Sequence, residues 1–534
     1  MLTTVLITAL LGGWLGDRVS ARSPLEDGTE RLLKTFTAAV TSVEKHYARS
    51  GSTQNLVENA IRGMLRTLDP HSSLFNRGDY RRLKEEQLGR YYGLGITIRA
   101  ESPGSGRVVV MEPPLAGTPA YKAGIRVGDV ISKIEGQAID DWDLNEEVIP
   151  NLKGPKGTKV NITIERSGES EPLDVIVIRD EIPLYTIRYN FFVRPEIGYI
   201  RISKFAETTG NELTRALKEL SGEELKGLIL DLRDNPGGAL NQALAVADHF
   251  LEKRQVIVRT RGRTGQEREF RVRKGAKARY PMVVLINKAS ASASEIVAGA
   301  LQDHDRALIV GEASFGKALV QTIYPLYGNR GLALTTGKYY TPSNRLIQRD
   351  YSDSFYGYYY GSGRNRKEAG SEHQTDAGRT VFGGGGITPD KIIGMAIIGK
   401  LDRLLSRRNI FVEFVSKLID GEIQSDVRYQ YSPEECANFT PEERERLVQE
   451  LKITDRTLSR FKDFARETEA ELTDESFEEN LKVISNRLKQ ELSLRLFDDK
   501  QSFKVALDID PQVQKAIELI PRVNVLLLQS VARN

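Results

Sequence analysis

Cysteine is all but absent. Cys436 is the single one in 534 residues, which excludes an intramolecular disulfide and any multi-cysteine metal site. Histidine is scarce too: the five, at 46, 71, 249, 304 and 373, never fall at the spacing of a zinc-binding helix. A metalloenzyme is therefore not expected, and no metal or organic cofactor is called for. Neither sign of charge is in surplus. The 76 Lys+Arg and 73 Asp+Glu leave a formal +3, too even to advertise a nucleic-acid partner through bulk charge. No apolar run reaches the ~20 residues of a membrane-spanning helix, and no internal repeat is evident. What is present, 40% hydrophobic and 28% charged residues with 46 Gly and 20 Pro, fits a globular chain of about three or four domains.

Residues 2–16 (LTTVLITALLGGWLG) form one uncharged apolar run, followed by Asp17, Arg18 and the small-residue pattern Val19-Ser20-Ala21. The segment 1–21 reads as a secretory signal peptide or a short membrane anchor. Either places the chain in the periplasm or another extracytoplasmic space, at the inner membrane if the anchor is kept. Residues 22–87 read as a helical region, with apolar positions periodic over 28–66 and a stop at Asp69-Pro70-His71-Ser72-Ser73. Short β-type runs between glycines and prolines mark 88–182 as a mainly β module. Over 183–396 strands alternate with helices, the pattern of an α/β layered core, with a long Gly/Tyr/Ser-rich loop at 350–386. Residues 397–534 are charged and helical. They suit self-association, docking of an adaptor, or a monomeric helical cap.

In the β module, Gly93-Leu94-Gly95-Ile96 precedes a strand, and glycines there let successive N–H groups converge on a carboxylate. With Ala123-Gly124-Ile125-Arg126-Val127-Gly128-Asp129-Val130-Ile131 downstream, the module resembles a PDZ domain. The resemblance implies a groove that takes an extended peptide by strand addition, its terminal carboxylate on the amides of Gly93, Leu94, Gly95 and Ile96.

The chemistry-bearing stretch is Lys288-Ala289-Ser290-Ala291-Ser292-Ala293-Ser294-Glu295, between a buried strand (281–287) and a helix. A serine at a helix N-terminus sits beside oriented N–H groups that stabilise an oxyanion, but any of the three serines also serves as a plain helix cap. A serine nucleophile needs a base. His249, within a helix, and His304, in an acidic turn, bring no recognisable triad pattern. Lys317 in Ser314-Phe315-Gly316-Lys317-Ala318-Leu319-Val320-Gln321 is the better base, because apolar neighbours ease loss of its proton.

The run 287–321 resembles the C-terminal processing peptidases, serine proteases with a Ser–Lys pair. LDPHSSLF (68–75), LILDLRDNPGG (228–238), YYTPSNRLIQ (339–348) and GGGGITPD (383–390) extend the likeness in order along the chain. The family interval selects Ser292 with Lys317, and Gln321 matches the third active-site residue. The resemblance further implies an oxyanion hole from the amides of Gly238 and Ala293, with Gly237 as second choice. It implies an α/β core of the ClpP/crotonase-like layered type with an inserted PDZ domain and helical N- and C-terminal regions. It also implies protein or peptide substrates with exposed C-terminal tails, such as precursor or damaged envelope proteins. The rival reading is a non-catalytic PDZ scaffold on an inactive protease fold.

Two residues four apart touch on a helix but lie about 13 Å apart on a strand. If Gln321 orients Lys317, residues 317–321 are expected to be helical. Four positions depart from the family pattern: Ala318 and Asn344 stand for Gly, Asp234 for Asn, and Lys153 for an Arg implicated in coupling the PDZ domain to the active site. Lys cannot reproduce the bidentate contacts of Arg.

Overall fold

The computed structural model describes residues 24–49, 52–101, 107–221, 225–276, 280–352, 355–360, 370–396, 399–468 and 472–531. The segment read as a signal or anchor, 1–21, lies outside them, as does part of the 350–386 loop. The chain divides into two compact units, one of residues 1–77 with 322–335 and one holding the rest.

In the first unit the helical pattern of 28–66 is carried by two helices, Pro24–His46 and Thr53–Arg66. Strand Ser73–Phe75 pairs antiparallel with Gly331–Ala333. Asp69 starts the turn before it: its carboxylate accepts the N–H groups of His71 and Ser72 and the Ser72 hydroxyl, an Asx turn that ends the helix.

In the second unit the β module is a five-stranded antiparallel sheet in the order Ile98–Ala100, Val108–Val110, Val130–Ile134, Lys159–Glu165, Leu173–Ile178, with Gln137–Ala138 paired to one side. Val108, Val110, Ile131, Ile134, Val160, Ile162 and Ile164 alternate inward against Val148 and Leu152 of the helical segments over 144–152. Ile98–Ala100 is an edge strand, with one neighbour among the described residues.

The α/β core is a six-stranded sheet in the order Tyr189–Arg194, Ile197–Arg201, Gly227–Asp231, Met282–Ile286, Leu308–Gly311, Lys391–Ile392. Only the first pair is antiparallel. Its two central strands, Gly227–Asp231 and Met282–Ile286, are buried at every position because both faces are covered. Leu228, Leu230, Met282, Val284 and Ile286 pack toward one face, under helices Thr209–Ser221, Leu240–Asp248 and Ala293–Asp303. Ile229, Val283, Leu285 and Val310 pack toward the other, against Val513, Ala516, Leu519 and Val523. Those residues belong to the last helix, Pro511–Val531. The C-terminal region thus closes the second face of the core sheet within the same chain, while residues 405–496 build a separate aromatic-rich helical cluster around Phe414, Phe461 and Leu488. Among the described residues, no helix is long and apolar enough to cross a membrane.

Candidate active site

Ser292 caps the N-terminus of helix Ala293–Asp303, every residue of which is buried. Its φ of 53° and ψ of −112° lie outside the regions a β-carbon allows cheaply, so neighbours must hold it there. They are identifiable. The Ser290 hydroxyl donates to the Leu232 carbonyl at 2.8 Å and the Ser294 hydroxyl to the Asn235 carbonyl at 2.9 Å. Ala291 N–H also donates to Asn235. Ser290 and Ser294 are fully buried and committed to structure, whereas Ser292 is partly exposed.

Lys317 follows Gly316, whose φ of +90° and whose backbone, packed against Gly386, leave no room for a side chain. The expected helix over 317–321 is not formed: Leu319–Leu326 is a strand. Pairing with Arg330–Tyr340 wins, and Ala318 is drawn into the same ladder as its carbonyl accepts Tyr339 N–H and its own N–H donates to Gln348 Oε1. The side chains nevertheless meet, with Lys317 Nζ donating to Gln321 Oε1 at 2.7 Å. Lys317 precedes the strand, and its long stem covers the distance that a strand geometry leaves.

The serine turn and the lysine loop are tied by their main chains. Phe315 N–H donates to the Ser290 carbonyl at 2.9 Å. Glu295 Oε2 accepts Ser292 N–H at 2.8 Å and Lys317 N–H at 2.9 Å, while Oε1 accepts Gly316 N–H at 2.7 Å and the Ser314 hydroxyl at 2.5 Å. Burial pushes the Glu295 carboxyl above its ordinary range, against the pull of these four donors. The Tyr339 hydroxyl lies between the carbonyls of Lys317, at 2.5 Å, and Ser292, at 3.1 Å. Burial, then the Glu295 charge, holds that hydroxyl protonated well above its ordinary range.

The Asn235-Pro236-Gly237-Gly238 turn stands opposite. Gly237 has φ +101°, and a β-carbon there would meet Ala291 O and Ser292 Cβ at 2.8 Å and Ala293 N at 2.9 Å. Its N–H is spent on Asn235 Oδ1 at 2.9 Å. Gly238 bridges to Phe205, and neither its N–H nor that of Ala293 has an acceptor among the described residues. Beneath the turn, the Asp231 carboxylate is fully buried. Burial alone would raise its pKa, but Arg233 outweighs it and holds the carboxyl below the usual range. Arg233 also reaches Asp510 Oδ2 at 2.7 Å and Gln512 Oε1 at 2.8 Å, so the start of the last helix props the turn.

His304 sets Nδ1 at 2.7 Å from Asp376 and Nε2 at 2.7 Å from the Val256 carbonyl. His249 bonds Thr214. Neither enters the serine–lysine network. Asn344 and Asp234 have φ of 64° and 59°, the left-handed region those residue types tolerate. Ala318 is not among the positive-φ residues, so its β-carbon adds no such strain. Lys153 makes one 2.6 Å contact, to Glu85, and lies over the Tyr91 ring. In the β module, Gly93 sits in a strand paired with Asp180, while the N–H groups of Leu94, Gly95 and Ile96 lack an acceptor among the described residues. Sequence reasoning missed Glu295 as a link between the serine turn and the lysine loop, and Tyr339 and Gln348 as neighbours of that loop. Their signals lay in YYTPSNRLIQ, whose spacing says nothing about what it touches.

The peptidase family S41 profile matches residues 196–352 and a PDZ domain profile matches 112–166. The chain is 44% identical over 329 residues to the carboxy-terminal-processing protease of Bartonella bacilliformis, covering 60% of this chain and 74% of that one. It is 37% identical over 311 residues to the carboxyl-terminal-processing protease of Synechocystis sp., covering 57% and 72%. Among solved structures it is similar to a photosystem II D1 C-terminal processing protease, with 26% identity, 67% and 92% coverage and a TM-score of 0.35.

Proposed function

The chain belongs to the carboxy-terminal processing serine proteases of peptidase family S41, and we propose that it hydrolyses peptide bonds with a Ser292–Lys317 pair aligned by Gln321. The observation that carries this reading is the single Glu295 oxygen shared by the main chains of Ser292 and Lys317, which makes neighbours of the strained serine and the lysine held by Gln321.

Unprotonated Lys317 takes the hydroxyl proton as Ser292 attacks the carbonyl carbon. The tetrahedral oxyanion is met by the N–H groups of Gly238 and Ala293, beside the positive end of helix Ala293–Asp303. The Lys317 ammonium then gives its proton to the departing amine, leaving an acyl-serine. Water, deprotonated by the same lysine, hydrolyses the ester and restores Ser292. Gln321 Oε1 limits where the Lys317 amine points.

Substrates are proteins with exposed C-terminal tails. The tail adds as a strand beside Ile98–Ala100, and its carboxylate meets the amides of the Gly93-Leu94-Gly95-Ile96 turn. Action in an extracytoplasmic space follows from the apolar run 2–16. The helical region outside the last helix offers surface for a second copy or an adaptor.

Ser292→Ala tests the assignment against an unstructured-tail protein. Abolished cleavage with retained tail binding supports it; undiminished cleavage overturns it. Tail binding with no cleavage by the unmodified chain favours a scaffold.

A further inference from the structure

Lysine is a poor choice for a reaction that needs fixed geometry. Its stem has four rotatable carbons, so the amine is placed only if both the main chain and the tip are held. Gln321 holds the tip, and something must hold the main chain of Lys317 against that of Ser292. A misplacement of about 1 Å at reacting atoms costs on the order of 10²-fold in rate.

Two buried side chains outside the Ser292–Lys317–Gln321 group make that connection. Glu295 takes the two N–H groups on one oxygen, and the Tyr339 hydroxyl shares its one proton between the two carbonyls. The Ser292 and Lys317 carbonyl oxygens therefore lie no farther apart than those two bonds laid end to end. Both groups are shut from water, Glu295 at 0% and Tyr339 at 2% exposure, so no solvent competes for the bonds.

The chemistry of each group suits the task. Four donors converge on Glu295, and only an acceptor-only carboxylate satisfies all of them. A glutamine would turn its NH₂ toward either Ser292 and Lys317 or Ser314 and Gly316, donor against donor. Tyr339 meets only carbonyls and must donate. Its ring is anchored in the main core cluster, and its N–H is bonded to the Ala318 carbonyl at 2.9 Å, so the hydroxyl position is inherited from the sheet.

We propose that Glu295 and Tyr339 are positioning residues of the proteolytic reaction: a carboxylate and a hydroxyl that clasp the serine turn to the lysine loop and set the separation of Ser292 and Lys317. The inference rests on the assignment of those two residues as nucleophile and base.

The test uses the full chain with a fluorogenic peptide carrying a free, unstructured tail. Tyr339→Phe keeps the ring and removes the oxygen. Its kcat should fall about tenfold to a hundredfold with KM within about twofold of the unmodified chain. Ser343→Ala is the matched control, because it removes a 2.7 Å hydroxyl contact to Asp303 at the far end of the same helix. It should lower thermal stability comparably and leave kcat near its starting value. An unchanged kcat in folded Tyr339→Phe overturns the clasp, as does an equal kcat loss in Ser343→Ala. Should Tyr339→Phe not fold, Glu295→Asp carries the same test: it keeps the charge and withdraws the oxygens, and a full kcat would overturn the proposal. Lys317→Ala separates the two levels. If it is inactive while Tyr339→Phe is fully active, only the clasp fails; if it is fully active, the serine–lysine assignment fails and the clasp with it.

Discussion

Lys317 Nζ sits 2.7 Å from Gln321 Oε1 although the chain between them runs into a β-strand. The contact joins a loop residue to a strand residue, so the strand serves as a ruler for the amine. Gln321→Ala should lower kcat roughly tenfold to a hundredfold with little change in KM, since general-base efficiency depends on reach. Gln321→Glu should move the acid limb of the rate profile to higher pH, because a facing carboxylate favours the ammonium form. An unmoved limb in Gln321→Glu would remove Gln321 from this role.

Gly237 has no room for a side chain beside the serine turn. A methyl group there would press on Ala291 O, Ser292 Cβ and Ala293 N while φ is +101°. Gly237→Ala should cost on the order of 10²–10³ in kcat by displacing the Gly238 and Ala293 amides proposed to bind the oxyanion. Cleavage at near-normal kcat by the folded variant would show that the turn is not part of the oxyanion site.

His304 faces an acceptor at each ring nitrogen. Burial opposes its charge, but Asp376 and the Val256 carbonyl prevail and raise its pKa above the ordinary 6.5. A group whose folded pKa is raised stabilises the fold fully below its unfolded pKa, and that share is lost as pH rises through the folded value. The thermal midpoint should therefore drop across that window and do so less in His304→Gln, with peptide cleavage retained. Identical pH slopes in the two proteins, or an inactive but folded variant, would contradict this.

How far these features could be read in advance depended on how local their causes are. Both sheet faces were legible as apolar from the unbroken runs over 228–230 and 282–286. What covers the second face was not, because Val513, Ala516, Leu519 and Val523 lie at the other end of the chain. Ser292 was separable from Ser290 and Ser294 only through its interval to Lys317. The structure adds that its two neighbours have spent their hydroxyls on Leu232 and Asn235. The helix expected at 317–321 failed because i, i+4 contact was taken to need helical geometry, while pairing with Arg330–Tyr340 and a long side chain reach the same contact. Glu295 and Tyr339 gather partners from both sides of the site, and no periodicity encodes that.

The three unpartnered amides of Leu94, Gly95 and Ile96 lie at the end of an edge strand. Amidating the C-terminus of a tail peptide should raise KM about tenfold and leave kcat unchanged, the mark of a contact equal in ground and transition states. Gly95→Val should do the same for the free-acid peptide, since its side chain would meet Thr118 at 2.7 Å with φ +83°. Equal KM for acid and amide would assign tail recognition elsewhere.

The single-turnover rate of Lys317→Ala on a tail-bearing protein probes the serine–lysine reaction at its root. Loss of at least about 10³-fold in cleavage, with tail affinity and thermal midpoint preserved, is the expected result. Cleavage at the unmodified rate by the folded variant would contradict it.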